Sequence, residues 1–201
     1  TTMFEVAMAK CCNRAHAISV NSGTQALIFA LQVRDPDRKP KGTLIPAISF
    51  VATLNATQMV EEYTALCDVN YAGLMDLNTI YEPLGDKIDT IMYVNLFGNT
   101  IDYDRFRLTT EFFNENMFVI EDAAQSFGAS HNGVPSGKMG DVSVLSFDPT
   151  KNFNNYGSGG MVLTDDVYLH SLLRDLRDNG KTSHHELAGT NSKMSESDCA
   201  Q

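Results

Sequence analysis

The sequence predicts an α/β fold built in layers, and three observations carry that prediction. Short β-like apolar runs alternate with runs of helical period along the chain. Residues equipped for chemistry fall at the carboxyl ends of the predicted strands, where open α/β sheets gather ligands. The 201 residues, 43% hydrophobic and 20% charged, suit one sizeable globular core.

The elements follow in order. "AHAISV" (Ala15 to Val20) reads as a strand, and "SGTQALIFALQV" opens a helix with Ser-Gly-Thr at its start. "RDPDRKPKG" is a polar loop, "TLIPA" a short strand, "SFVATLNATQMV" a helix, "TALCDV" a strand and "DLNTIYEPL" a short helix. "IDTIMYVNLFG" contains the next strand, and "DYDRFRLTTEFFNENM" is amphipathic and predicts a helix. "FVIEDAAQ" is a strand with two carboxylates at its C-terminal end; "DVSVLSF" and "GGMVLTDD" are two more strands. "DDVYLHSLLRDLRDNG" is a helix stopped by Gly180, which suits a C-cap. "KTSHHELAGTNSK" lacks periodicity and reads as a loop, and His131 in "SHNGVPSG" as a hairpin residue. Ser195 and Asp198 have capping-box spacing, so a helix is expected to begin there. The chain starts without methionine and stops soon after that helix start, so a fragment of a longer protein is expected.

Acidic residues outnumber basic ones 25 to 15, and the net charge of −10 argues against a general nucleic-acid or anionic-membrane binder. A local pocket for a phosphate remains compatible with it. Cys11, Cys12, Cys67 and Cys199 form no CxxC pair, which points to a reduced, cytoplasmic setting rather than a disulfide framework. No apolar run approaches a membrane span, and no signal peptide is visible.

Three pieces carry chemistry. In "VNSGTQAL" a strand, a Ser-Gly-Thr turn and a helix aim backbone N–H groups at a helix N-terminus, an arrangement that holds phosphate and equally serves an ordinary N-cap by Ser22 or Thr24. Asp122 ends an apolar strand, so its carboxylate needs a charged or donating partner, such as a protonated cofactor ring nitrogen or the donors of a capped loop. Gln125 lies one short turn further on, within reach of the same ligand. Lys151 follows the strand that carries Ser146, and "NNYGSGG" follows the lysine. Its amine can condense with an aldehyde once neutral, a state favoured by a partly desolvated, cation-rich site. Ser146 could donate its hydroxyl to a phosphate, and Gly157, Gly159 and Gly160 would give the loop room to hold the lysine close. A phosphate, a ring with a basic nitrogen and an aldehyde together describe pyridoxal 5'-phosphate.

With those pieces in place, the sequence resembles the DegT/StrS-type nucleotide-sugar aminotransferases. The matching words are "VNSGTQAL", "IPAISFVATLNA", "CDVN", "VNLFGN", "IEDAAQSFGA", "GDVSVLSFDPTKNF", "GSGGMVLTDD", "LRDNGK" and "GTNSKMSESDCA", which cover nearly the whole chain in family order. The resemblance implies a three-layer α/β/α sandwich with a mainly parallel mixed sheet, the large domain of the aspartate-aminotransferase-like fold. Residues 1–201 would be that pyridoxal-phosphate-binding domain, cut at both ends, with the C-terminal small domain absent.

It also implies roles. Lys151 would form the Schiff base and shuttle protons, and Asp122 would pair with the pyridinium nitrogen. Gln125 would contact the phenolic oxygen; Gly23, Thr24 and Ser146 would hold the phosphate; and Phe50 would stack on the ring, unless it is plain core packing at a helix start. Asn191 would reach the phosphate of a second subunit's cofactor, which implies a homodimer with shared sites. Ser192 stands where the family often has an aromatic, and Lys193 where arginine is common. The implied reaction moves an amino group, usually from glutamate, to a keto carbon of a nucleotide-linked deoxysugar. Two alternatives stand beside it: a truncated, non-catalytic cofactor-binding relative, and a sugar dehydratase of the same family, in which histidine typically replaces the lysine. No metal is expected: His184, His185 and Glu186 have no third ligand at fitting spacing.

Overall fold

A computed structural model of the chain describes residues 1–34, 42–80, 87–181 and 187–201. Seven strands form one sheet: β1 (His16–Val20), β2 (Gly42–Pro46), β3 (Tyr63–Cys67), β4 (Thr90–Val94), β5 (Phe118–Asp122), β8 (Val142–Ser146) and β9 (Gly160–Thr164). Their order is β1-β9-β8-β5-β4-β2-β3. β9 runs antiparallel to both its neighbours, and every other pair is parallel. A short hairpin, β6 (Ser130–His131) and β7 (Val134–Pro135), turns through Asn132 and Gly133 at φ 48° and 81°.

Alternation along the strands divides the core into two layers. On β4, Met92 joins the core with Ile120 and Val144, while Ile91 and Tyr93 join the opposite one with Val119. Helices α2 (Gly23–Gln32), α3 (Val51–Met59) and α5 (Val167–Arg177) cover the first face through Phe29, Ala56 and Leu173. Helices α1 (Thr2–Cys11) and α4 (Tyr103–Phe113) cover the second through Met8 and Phe106. The result is the expected three-layer α/β/α sandwich around a mainly parallel mixed sheet.

Each predicted strand is present, and the differences have identifiable causes. Helix α1 had no counterpart in the sequence reading, because its pattern is inverted: Met3 and Val6 are exposed while Glu5 is buried. Glu5 accepts hydrogen bonds from the Ser19 amide and hydroxyl, each at 2.9 Å, and pairs with Arg177 at 2.5 Å. The helix expected at "DLNTIYEPL" is corrected over its described part: residues 77–80 form turns, with the Asp76 side chain capping the Asn78 amide at 2.9 Å, and 81–84 lie outside the described residues. Helix α4 ends at Phe113, short of Met117, because the Asn114 side chain accepts the Asn116 amide at 2.9 Å and turns the chain away. Helix α5 ends at Arg177, and the left-handed pair Asn179 and Gly180 reverses the chain, with the Gly180 amide donating to Asp175 O at 2.7 Å. A last short helix, α6 (Glu196–Cys199), starts at Ser195 as expected, its hydroxyl accepting the Asp198 amide at 3.1 Å. Most of the "RDPDRKPKG" loop and the group His184, His185 and Glu186 lie outside the described residues. All four cysteines are free, and among the described residues no helix is long and apolar enough to cross a membrane.

Candidate active site

Seven of the eight predicted site residues line one cavity of about 730 Å³ at the carboxyl ends of β4, β5 and β8: Gly23, Thr24, Phe50, Asp122, Gln125, Ser146 and Lys151.

One wall is the start of α2. Ser22 is its N-cap, in extended conformation, and its hydroxyl accepts the Gln25 amide at 3.1 Å. The first intrahelical bond runs from the Ala26 amide to Ser22 O, which leaves the Gly23 and Thr24 amides ahead of any carbonyl within the helix. Ser22 is thus a cap and part of an anion-ready helix end at once. Two glycines set how close that end comes. A Cβ on Gly23 would lie 2.8 Å from Ser146 Cβ, and one on Gly160 would lie 2.4 Å from the Ser22 carbonyl carbon. The expectation that Gly157, Gly159 and Gly160 make room for the lysine is corrected. Their free sides face Asp198, Met194 with Phe147, and Ser22, respectively.

Asp122 is 5% exposed at the end of β5. Its Oδ1 accepts the Ala124 amide at 3.1 Å and its Oδ2 accepts the Thr53 hydroxyl at 3.3 Å. Burial raises its pKa; those two bonds and the nearby charge of Lys151 pull it back in part. The neighbouring Glu121 faces the opposite side of the sheet and is fully buried. Its carboxylate takes five donors: the Asn95 side chain, the Ser136 and Ser143 hydroxyls, and the Gly137 and Met139 amides. One carboxylate of the pair is saturated by the protein, and the other opens on the cavity.

Lys151 sits on a tightly tied loop. Asp148 Oδ1 accepts from the Thr150 amide at 2.9 Å and hydroxyl at 2.6 Å, and the Lys151 amide donates to Asp148 O at 2.9 Å. Asn152 donates to Phe127 O at 2.7 Å, and the Phe153 ring stacks on Phe127 at 4.6 Å. Lys151 Nζ lies 5.6 Å from the centre of the Phe50 ring. Phe50 is the N-cap of α3 and 62% exposed, so it is not helix-start core packing. Among the described lining residues Lys151 is the one cation, alongside Asp122 and Asp148, so the cation-rich surround expected for the amine is corrected. Gln125 accepts the Phe97 amide on Oε1 at 3.0 Å.

Asn191 lies apart from this cavity, exposed, in an isolated bridge to Asp178. The neighbouring Lys193 pairs with Asp178 at 2.8 Å, and Ser192 is buried. The cavity also has lining that sequence reasoning missed, including Phe97, Gly98, Asn152 and Ser158; Thr53, behind Asp122, was missed as well. Thr53 had a usable signal: three residues after Phe50 on a predicted helix, it shares a face with it.

The donor set suits pyridoxal phosphate, on this chain's own geometry. Open amides at a helix start match a phosphate, a buried carboxylate matches a ring N–H, and a lysine opposite an aromatic face matches an aldehyde on a flat ring.

A family model described as the DegT/DnrJ/EryC1/StrS aminotransferase family matches residues 1–201. The chain is 34% identical over 187 residues to the UDP-N-acetyl-3-dehydro-alpha-D-glucosamine 3-aminotransferase of Acidithiobacillus ferrooxidans, covering 90% of this chain and 49% of that protein. It is 32% identical over 207 residues to the dTDP-3-amino-3,4,6-trideoxy-alpha-D-glucose transaminase of Streptomyces venezuelae, covering 98% and 52%. Among solved structures, S. venezuelae DesV superposes with a TM-score of 0.90 at 30% identity, over 99% of this chain and 54% of that one. Bacillus subtilis ntda, with bound cofactor PMP, superposes with a TM-score of 0.88 at 28% identity, over 99% and 46%. The chain spans about half the length of the curated relatives it matches.

Proposed function

Because the chain belongs to the DegT/DnrJ/EryC1/StrS aminotransferase family, we propose that residues 1–201 form the cofactor-holding large domain of a pyridoxal-phosphate-dependent nucleotide-sugar aminotransferase. The observation that carries this reading is the meeting of Lys151, Asp122 and the open start of α2 in one cavity.

When bound, pyridoxal phosphate supplies an aldehyde for the amines and a ring that draws electrons from the reacting carbon. The chain supplies the rest. The amides of Gly23 and Thr24, with the Thr24 and Ser146 hydroxyls, hold the phosphate. Asp122 accepts the ring N–H and keeps the ring protonated. Phe50 covers one ring face. Gln125 donates to the phenolic oxygen. Lys151 Nζ would hold the aldehyde group, and its free amine would take a proton from the donor's α-carbon and pass it on. Glutamate is the proposed donor and a keto group on a nucleotide-linked deoxysugar the acceptor.

We read the working unit as a cytoplasmic homodimer. Ile48, Phe50, Val51 and Leu54 are exposed beside the cavity, and Asn191 is exposed and outside the lining of this chain's own cavity. Lys151 weighs against the dehydratase alternative.

The test is direct. Pyridoxal phosphate added to the protein should give a yellow imine band that borohydride traps on Lys151 and that Lys151→Ala abolishes. Glutamate should then bleach the band as the amino form accumulates. A band that glutamate leaves untouched would support the non-catalytic relative instead.

A further inference from the structure

Phe97 holds a left-handed backbone, φ 59° and ψ 23°, in the short 3-10 turn Leu96–Gly98, and Gly98 follows at φ 79°. That conformation is disfavoured for a residue with a Cβ. Burial does not explain it, since the Phe97 side chain is 73% exposed. What the turn achieves is a contact: the residue-97 amide donates to Gln125 Oε1 at 3.0 Å. A backbone N–H only donates, so the atom facing it must be the amide oxygen and not the nitrogen. Gln125 Nε2, with both its hydrogens, is therefore turned away from residue 97, and Gln125 lines the cavity.

The turn is tied down from behind. Asn95, fully buried, donates from Nδ2 to Glu121 Oε1 at 2.9 Å, accepts the Ile101 amide on Oδ1 at 2.9 Å, and donates its own amide to Asp122 O at 3.0 Å. Gly73 leaves the space over which the Phe97 ring lies; a Cβ there would stand 3.2 Å from it.

We propose that the left-handed turn at Phe97–Gly98 is a positioning device: its amide locks Gln125 as a hydrogen-bond donor to the cavity, so that the ligand atom received there must be an acceptor. Glu121 and Asn95 act through this turn and touch no ligand. The inference rests on the reading of the cavity as a pyridoxal-phosphate site, where that acceptor is the ring's phenolic oxygen.

The test compares Phe97→Gly with Phe97→Val in the full chain. Both lose the ring, but only valine resists a left-handed backbone. Two quantities are read: the pyridoxal-phosphate dissociation constant from the imine band, and hydrogen exchange of the residue-97 amide without cofactor. Phe97→Val should bind about tenfold more weakly than Phe97→Gly, and in a Gln125→Ala background the two should bind alike. Without cofactor, Gln125→Ala should speed residue-97 exchange by at least about tenfold. Gln125→Glu should keep it slow, because a carboxylate still accepts the amide, yet bind cofactor weakly for want of a donor. Equal affinities of the two Phe97 variants with Gln125 present, or exchange indifferent to Gln125→Ala, would overturn the inference. Failure of the cofactor reading looks different: no imine band in any variant, while the exchange measurement still decides the role of the turn.

Discussion

Asp122 carries a conflict between folding and binding. Its folded pKa is raised above 3.8, first by burial. Between 3.8 and that raised value the folded protein keeps a proton the unfolded chain has lost, so stability falls as pH rises through the window. Above that window the ionised carboxylate is a net cost to the cofactor-free fold. Asp122→Asn should therefore raise the melting temperature of the cofactor-free protein while weakening pyridoxal-phosphate binding by tenfold or more, about 1.4 kcal/mol. Melting curves with and without cofactor check both halves, and a lowered cofactor-free melting point would contradict this account. Residues of this kind were legible in the sequence. Asp122, Ser146 and Lys151 stand at or just past the ends of apolar runs, where a polar side chain needs a reason. Thr53 and Phe97 were harder to read as site residues. Thr53 offered only its three-residue spacing from Phe50 on a predicted helix, and nothing in the letters "NLFGN" shows a positive φ at the phenylalanine.

At the scale of elements, the cavity-facing start of α2 depends on contact between backbones. Gly160→Ala would place a Cβ 2.4 Å from the Ser22 carbonyl, and neither segment can yield without moving the helix start or β9. It should destabilise the fold by about 1–3 kcal/mol and weaken binding of the phosphate group. Gly159→Ala meets side chains alone, the flexible end of Met194 at 2.7 Å and the Phe147 ring at 3.3 Å, and should cost less than Gly160→Ala. Chemical denaturation of the two variants makes the comparison; equal losses would mean the helix start has slack. Strands β1, β4, β5, β8 and β9 were legible because buried strands are continuous apolar runs bounded by polar turns. Helix α1 was not, because it buries Glu5 in a pair with Arg177, 172 residues away in sequence, which no local period reports.

For the whole molecule, the sheet topology sets where the site meets the surface. The cavity opens at the carboxyl edge of the sheet, with exposed Phe50 and Phe97 at its rim and an apolar segment at Ile48, Val51 and Leu54 beside it. On the homodimer reading a second copy covers that segment. Leu54→Asp should then shift the protein to monomer in sedimentation and weaken cofactor binding along with it. A wild type that sediments as a monomer at every concentration would remove the dimer from the proposal. The layered class was legible from alternation alone, whereas the antiparallel placement of β9 between β1 and β8 was not. Both directions of a buried strand carry the same apolar pattern.

The opposed carboxylates at the end of β5 have a further consequence. Strand alternation acts there as an addressing system: position 121 is delivered to a sealed compartment and position 122 to the cavity. Deleting a single residue within Phe118–Ile120 would exchange the two destinations, sending the longer side chain to the ring and stranding the shorter one among five donors set for the other. On the pyridoxal-phosphate reading, such a variant would keep its layers and still lose its cofactor.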